Sequence, residues 1–137
     1  MNAYVLDTSV AIAWYLDESF SRGARAWQQR LLDGEISLVV PSLHYLEFAN
    51  VLRTLVRRSE LDTGLSHEIY DLHLEAPLEV GEPDRRGLLD LALKYGATVY
   101  DAAYIDLSLQ RDLSLITAER STTPWVVKLG DRIESVD

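Results

Sequence analysis

Short apolar runs that alternate with stretches of helical spacing constrain this chain more than any other feature of its sequence. Ala3 to Leu6 is the first run and stops at Asp7. Ile36 to Val40 is the second and is closed by Pro41, which cannot extend a strand ladder. Leu78 to Val80, Leu113 to Thr117 and Ile133 to Val136 read as further strands. Between them the periodicity predicts a helix after Asp7, capped by Thr8 or Ser9 and packed through Val10, Ile12, Ala13 and Leu16. A second helix is expected from Ser19 to Leu32, stopped by Asp33-Gly34. Ser42 opens a long one to Arg58, with Tyr45, Phe48, Ala49, Leu52, Leu55 and Val56 on one face and Glu47, Asn50, Thr54, Arg57 and Arg58 on the other. Further helices are expected over Thr63 to Leu74, from Asp84 to Tyr95, and from Asp101 to Gln110. Strands that alternate with helices imply right-handed crossovers and a parallel sheet covered on both faces. The expected fold is therefore α/β, a three-layer α/β/α sandwich with a mainly parallel sheet of about five strands. No repeat, linker or low-complexity tract divides the 137 residues, so residues 1–137 read as one unit.

In such sheets ligands bind beyond the carboxyl ends of the strands, where strand order reverses. Asp7 follows the first strand there, and Glu119 lies just past the strand ending at Thr117. Glu47 lies on the polar face of its helix, and Asp101 starts another, where the free N–H groups and dipole favour a negative side chain. An Asp in that position is also an ordinary cap. Several carboxylates brought together from separate elements suit hard divalent cations, which take oxygen ligands and keep several waters. Ions held that way lower the pKa of a bound water and offset charge on a phosphodiester undergoing cleavage.

The chain has no cysteine, which excludes disulfides and zinc–thiolate sites and fits a reducing compartment. No apolar stretch reaches the roughly 18 residues of a membrane helix. The first residues lack the basic start of a signal peptide, so a cytoplasmic location is expected. The net charge of −9 argues against broad attraction to nucleic acid, unless much of the acid serves to bind cations.

Four segments carry a resemblance: Val5-Leu6-Asp7-Thr8-Ser9-Val10, Glu47-Phe48-Ala49-Asn50-Val51-Leu52-Arg53, Val99-Tyr100-Asp101-Ala102-Ala103-Tyr104 and Leu115-Ile116-Thr117-Ala118-Glu119-Arg120. In this order and spacing the chain resembles the PIN-domain ribonucleases, and its small size and Tyr-Asp-Ala-Ala-Tyr segment look most like the VapC toxins of toxin–antitoxin pairs. The resemblance implies an endoribonuclease dependent on Mg²⁺ or Mn²⁺, with Asp7, Glu47, Asp101 and Glu119 as its acidic quartet. It implies a structured RNA substrate such as tRNA or rRNA, a VapB-like antitoxin partner, and a homodimer or toxin–antitoxin hetero-oligomer. The family more often carries Asp where this chain has Glu119. The added methylene reaches about 1.5 Å further, which leaves a direct ligand, a water-mediated one and an idle acid all open.

Thr8, Ser9 and Thr117 carry hydroxyls beside the proposed site that can orient carboxylates or a metal-bound water, as the resemblance implies for Ser9 and Thr117; strand-end and capping hydrogen bonds explain them too. Asn50, one turn from Glu47, can hold that carboxylate through its amide. For RNA contact the candidates are Arg120, beside Glu119, then Arg53 and Arg57, with Arg58 and Arg85-Arg86 behind them. Asp106 points away from Asp101 and reads as solvated. Trp14, Tyr15 and Trp27 read as core or interface residues. His44, His67 and His73 have poor spacing for a metal and receive no role. A catalytically inactive PIN-like scaffold is the alternative reading. A receiver domain lacks its paired acids here, and a phosphatase of the Asp-x-Asp kind fails because Ser9 stands at the second acid.

Overall fold

The computed structural model describes residues 2–136, all but the two end residues of the expected 1–137 unit. Its elements run β1 (Asn2–Leu6), α1 (Thr8–Tyr15), α2 (Ser21–Leu32), β2 (Ile36–Val40), α3 (Leu43–Arg57), α4 (Thr63–Leu74) and β3 (Glu79–Val80). A 3₁₀ turn at Arg85–Gly87 leads into α5 (Leu88–Tyr95), α6 (Val99–Arg111), β4 (Leu115–Thr117) and α7 (Pro124–Leu129); a second 3₁₀ turn at Gly130–Arg132 precedes β5 (Ile133–Ser135). The five strands form one sheet in the order β3-β2-β1-β4-β5, and every neighbouring pair is parallel.

Period-two alternation sorts the strand side chains into two cores, one on each sheet face. Leu6, Leu38, Val40 and Ile116 point to the side covered by α1, α2, α3 and α4, where they meet Val10, Ile12, Trp14, Phe48, Leu52 and Ile69. Val5, Val39 and Leu115 point to the opposite side, against Ile105 and Leu107 of α6 and Trp125, Val126 and Leu129 of α7. Burial on both faces explains why these strands read as nearly continuous apolar runs. Among the described residues no helix is long and apolar enough to cross a membrane.

The chain passes outward from β1 through β2 to β3, then returns to the other side of β1 to lay down β4 and β5. The carboxyl ends of β1 and β4 therefore flank the point where strand order reverses. Asp7 leaves β1 there, with its N–H donating to the Ile116 carbonyl at 3.0 Å.

Several boundaries differ from expectation for local reasons. Asp7, not Thr8 or Ser9, occupies the N-cap position of α1, and its side chain makes no capping bond. Thr98 caps α6 by accepting from the Asp101 N–H, so this helix starts at Val99 and Asp101 sits inside its first turn rather than opening it. Asp84 caps the 3₁₀ turn instead of a full helix, and α5 begins at Leu88. β4 starts at Leu115, later than Leu113, because Asp112 turns into the left-handed region (φ 54°) and Leu113 N–H closes on the Ser108 carbonyl. α7, only 6 residues opened by Pro124, is too short to give a periodic signal, although proline in a first turn is a start signal. Asp106 is not merely solvated: its carboxylate accepts from the Asp84 N–H at 2.8 Å and from the Gln110 side chain. Trp14 is buried, with its indole N–H on the Ala24 carbonyl, while Trp27 packs edge-on to Tyr4.

Gly23 in α2 is a point of close approach, since a Cβ there would collide with the backbone carbonyl oxygen of Val136. Gly23→Ala is expected to lower stability by about 1–3 kcal/mol, despite alanine's helix propensity, because the buried Val136 end must be displaced. Urea unfolding measures this directly, and a more stable variant would show that the chain end does not pack against α2.

Candidate metal centre

Asp7 stands where β1 turns into α1, and its free carboxylate is turned from capping duty to the carboxyl edge of the sheet. Both of its side-chain hydrogen bonds fall on one oxygen: Thr117 Oγ1 donates to Oδ2 at 2.8 Å and Ser9 Oγ at 3.2 Å. Thr117 ends β4 and is buried, so the hydroxyl is delivered by the neighbouring strand across the switch point. Thr117 and Ser9 also brace the following loop, accepting from the Glu119 N–H at 3.1 Å and the Ala118 N–H at 3.4 Å.

Glu47 is held in the same way from different elements. Thr8 Oγ1 donates to its Oε1 at 3.1 Å and Tyr104 Oη at 2.7 Å. The two hydroxyls also touch each other at 2.6 Å. Tyr104 packs its ring in the α6–α7 core, yet its hydroxyl reaches round the sheet edge to α1 and α3. Asp7 and Glu47 are thus each gripped through a single oxygen. Among the described residues no protein donor reaches Asp7 Oδ1 or Glu47 Oε2.

The acids feel one another. Burial pushes the Asp7 carboxyl up to about 7; the Thr117 and Ser9 hydroxyls pull it down, and the charges of Asp101 and Glu47 push it further up. Glu47 is raised by burial and by Asp101, against the pull of Tyr104 and Thr8. Asp101 is raised by burial and by Glu119, against Thr98. Asp7, Glu47 and Asp101, all partly exposed, therefore form one electrostatic group. Glu119 is exposed, accepts from Thr123 at 3.4 Å, and acts on this group through Asp101. Among the described residues no three His, Asp or Glu side chains draw close enough for a ready-made metal cage. Carboxylates of like charge hold apart without a cation, and Mg²⁺ takes only one or two of them directly with its waters. All-oxygen donors, with Asp7 and Glu47 each restrained through one oxygen and open at the other, suit such a loosely held ion.

The remaining expected residues divide. Asn50 is exposed and lines a cleft beside Glu47 with Leu43, Leu46 and Tyr100; Glu47 is held by Thr8 and Tyr104 instead. Leu46 and Tyr100 are 69% and 61% exposed, an apolar shelf next to the acids. Arg120 is exposed beside Glu119. Arg53 and Arg57 rim a separate groove between α3 and α4, with Leu52, Val56 and Tyr70, that none of the acids lines.

Three residues escape the sequence reading, Tyr104, His44 and His73, while Thr8, read as a hydroxyl that can orient a carboxylate, donates to Glu47. His44 and His73 are fully buried, with Nε2 atoms 2.8 Å apart. A signal existed, because His44 precedes buried Phe48 and Leu52 at successive four-residue steps on α3. A histidine on a core stripe needs hydrogen-bond partners from elsewhere in the fold.

Residues 4–121 match the sequence profile of the PIN domain. No curated protein sequence matches significantly. Among solved structures, PAE2754 from Pyrobaculum aerophilum is similar with a TM-score of 0.73 and 18% identity, over 98% of this chain and 90% of that one. A toxin–antitoxin complex from Klebsiella pneumoniae is similar with a TM-score of 0.61 and 12% identity, over 98% of both chains. At such identities the likeness to these two concerns the fold.

Because Asp7 titrates near 7 when folded and near 3.8 when not, its carboxylate costs stability as pH rises from about 4, with the full cost standing above 7. In cation-free protein, Asp7→Asn is expected to gain on the order of 1–3 kcal/mol at pH 8 and less at pH 5. Urea unfolding in chelator at both pH values reads the difference; a variant less stable at pH 8 contradicts the buried repulsion.

Proposed function

The chain belongs to the PIN domain family, and on that premise we propose that it is a metal-dependent endoribonuclease, the VapC-like toxin of a toxin–antitoxin pair. PIN domains are generally nucleases. The observation that carries the finer reading is the pair of carboxylates at the strand-order switch, Asp7 and Glu47, each restrained through one oxygen with Asp101 close enough to raise both. In this reading Asp7, Glu47 and Asp101 hold Mg²⁺ or Mn²⁺, and Glu119 adds charge on the Asp101 side. The cation supplies Lewis acidity, generating a nucleophile from water and offsetting charge on the phosphate being cleaved.

The protein's own part is orientation. Thr117 and Ser9 fix the Asp7 carboxylate, and Thr8 and Tyr104 fix that of Glu47, so little rearrangement is needed when a cation enters. The shelf of Leu43, Leu46 and Tyr100 beside Glu47 provides a surface on which an unpaired base can stack. Arg120 is the nearest cationic side chain in sequence for a phosphate, with Arg53 and Arg57 along their own groove. The substrate is a structured RNA such as tRNA or rRNA, and the partner is a VapB-like antitoxin in a homodimer or hetero-oligomer within the cytoplasm. The likeness to a toxin–antitoxin complex supports this assignment through its fold. We read residues 1–137 as a single PIN-like unit. One feature favours the alternative of an inactive scaffold: Glu119 stands in place of the usual Asp and is exposed.

Cleavage assays of tRNA and rRNA decide between the two. Asp7→Asn and Asp101→Asn are each expected to reduce Mg²⁺-dependent cleavage on the order of 100-fold or more, with circular dichroism unchanged. Full activity in both variants removes the proposed site, and a wild-type protein that neither binds Mg²⁺ at millimolar concentration nor cleaves RNA favours the scaffold.

A further inference from the structure

The hydrogen-bonded groups behind Glu47 do not stop at Thr8 and Tyr104. His44 Nδ1 lies 3.0 Å from Thr8 Oγ1 and 3.2 Å from Tyr104 Oη. His44 Nε2 meets His73 Nε2 at 2.8 Å, and His73 Nδ1 meets the hydroxyl of half-buried Tyr15 at 2.9 Å. We propose that Tyr15, His73, His44 and Thr8 form a one-directional hydrogen-bond relay that positions Glu47, with His44 as the Nδ1–H tautomer and His73 as the Nε2–H tautomer. This rests on the assignment of Glu47 to the cation site.

The direction follows from counting hydrogens. Glu47 in the ionised form that a cation ligand takes only accepts. Thr8 and Tyr104 bring one hydroxyl hydrogen each. Both hydrogens are taken up among Glu47 Oε1 and the two hydroxyl oxygens, which lie 2.7 and 3.1 Å from it and 2.6 Å from each other. Neither is left for His44, so its Nδ1 carries the hydrogen and donates to Thr8. Burial, reinforced by His73, takes the His44 pKa down to about 3, and burial takes that of His73 down to about 4. Both rings are therefore neutral, each with a single N–H. With Nδ1 of His44 protonated, its Nε2 is bare and accepts from His73 Nε2–H. His73 Nδ1 is then bare in turn and accepts from the Tyr15 phenol. No buried side-chain nitrogen or oxygen among the described residues lacks a partner, so the chain closes without a defect.

Every hydrogen in the relay points toward Glu47, and hydrogen bonds aligned head to tail polarise one another. Stacking of His73 on Phe48 at 4.0 Å and the edge contacts of Tyr15 with Phe48 and His73 hold the rings in line. The relay thus ties the Glu47 rotamer to the α1–α3–α4 core. Among the described residues His44, His73 and Tyr15 make no hydrogen bond to the carboxylates of Asp7, Glu47 or Asp101, and they act as positioning residues. The polarity is set at the Glu47 end: removing Tyr15's hydroxyl leaves both tautomers as they are, whereas removing the Glu47 carboxylate frees a hydroxyl hydrogen for His44 and allows the reverse order.

Long-range ¹H–¹⁵N correlation spectra of cation-free, ¹⁵N-histidine-labelled protein test this directly. The expected spectrum assigns His44 as Nδ1–H and His73 as Nε2–H in the wild type and in Tyr15→Phe, and mixed or reversed tautomers in Glu47→Ala. His44 as Nε2–H in the wild type overturns the relay. Mn²⁺ titration gives the functional readout. His44→Phe is expected to weaken Mn²⁺ binding about 10-fold or more, and His44→Asn, which keeps a donor toward Thr8, to recover most of it. Unchanged Mn²⁺ affinity in a folded His44→Phe protein also overturns the proposal. Should the wild type show the expected tautomers but bind no Mn²⁺, the relay to Glu47 stands and the cation-site reading fails.

Discussion

Carboxylates of one charge sign, partly withdrawn from water, repel one another unless donors or a cation offset the cost. The carboxyl edge of this sheet is organised around that conflict. Strand order reverses between β1 and β4, and there Asp7 is delivered from the end of one strand and Thr117 from the next. Hydroxyls answer part of the repulsion. Thr117, Ser9, Thr8 and Tyr104 each donate to a carboxylate, and in both cases they spend themselves on one oxygen. The pKa of Asp7 stays raised all the same, so the hydroxyls do not cancel what burial and neighbouring acids impose. The unmet remainder is what a divalent cation is suited to relieve.

The same economy accounts for unusual choices nearby. Asp7 holds the N-cap position of α1 without capping it through its side chain, and the Val10 and Ala11 N–H groups donate to its backbone carbonyl instead. Thr8, a good capping residue, is buried instead and serves Glu47. Tyr104 sacrifices an entirely apolar place in the α6–α7 core to carry a hydroxyl across the sheet edge. Two neutral histidines lie in the opposite core layer, which apolar rings could fill more cheaply unless their hydrogen bonds matter. Local stability is set aside at these positions in favour of a fixed arrangement of oxygens, a pattern associated with functional sites.

What the amino-acid sequence discloses and what it withholds divide by range of interaction. β1 and β2 are legible because burial on both faces makes Val5, Leu6, Leu38, Val39 and Val40 a continuous apolar signature. Asp7 is legible because it interrupts one such run at its end, and Asp101 because Thr98-Val99-Tyr100 marks a helix start, although the capping role belongs to Thr98. The segments around the acids also carry the family likeness, which the match over residues 4–121 bears out. The contacts that hold the acids are a different matter. Thr8 meets Tyr104 across 96 positions and Thr117 meets Asp7 across 110, and no local pattern announces such pairs. A wheel drawn for apolar residues alone also overlooks His44, since a polar ring on the buried stripe of α3 registers only when its partners on α4 and α6 are known.

The proposed centre sets Asp7 at the end of β1, Glu47 of α3 and Asp101 of α6 on one divalent ion. Anomalous diffraction from crystals soaked in millimolar Mn²⁺ tests it most directly. The expected map has a peak within about 2–2.5 Å of carboxylate oxygens from at least two of Asp7, Glu47 and Asp101. A map with no peak between these residues, in crystals whose pocket is open to solvent, contradicts it.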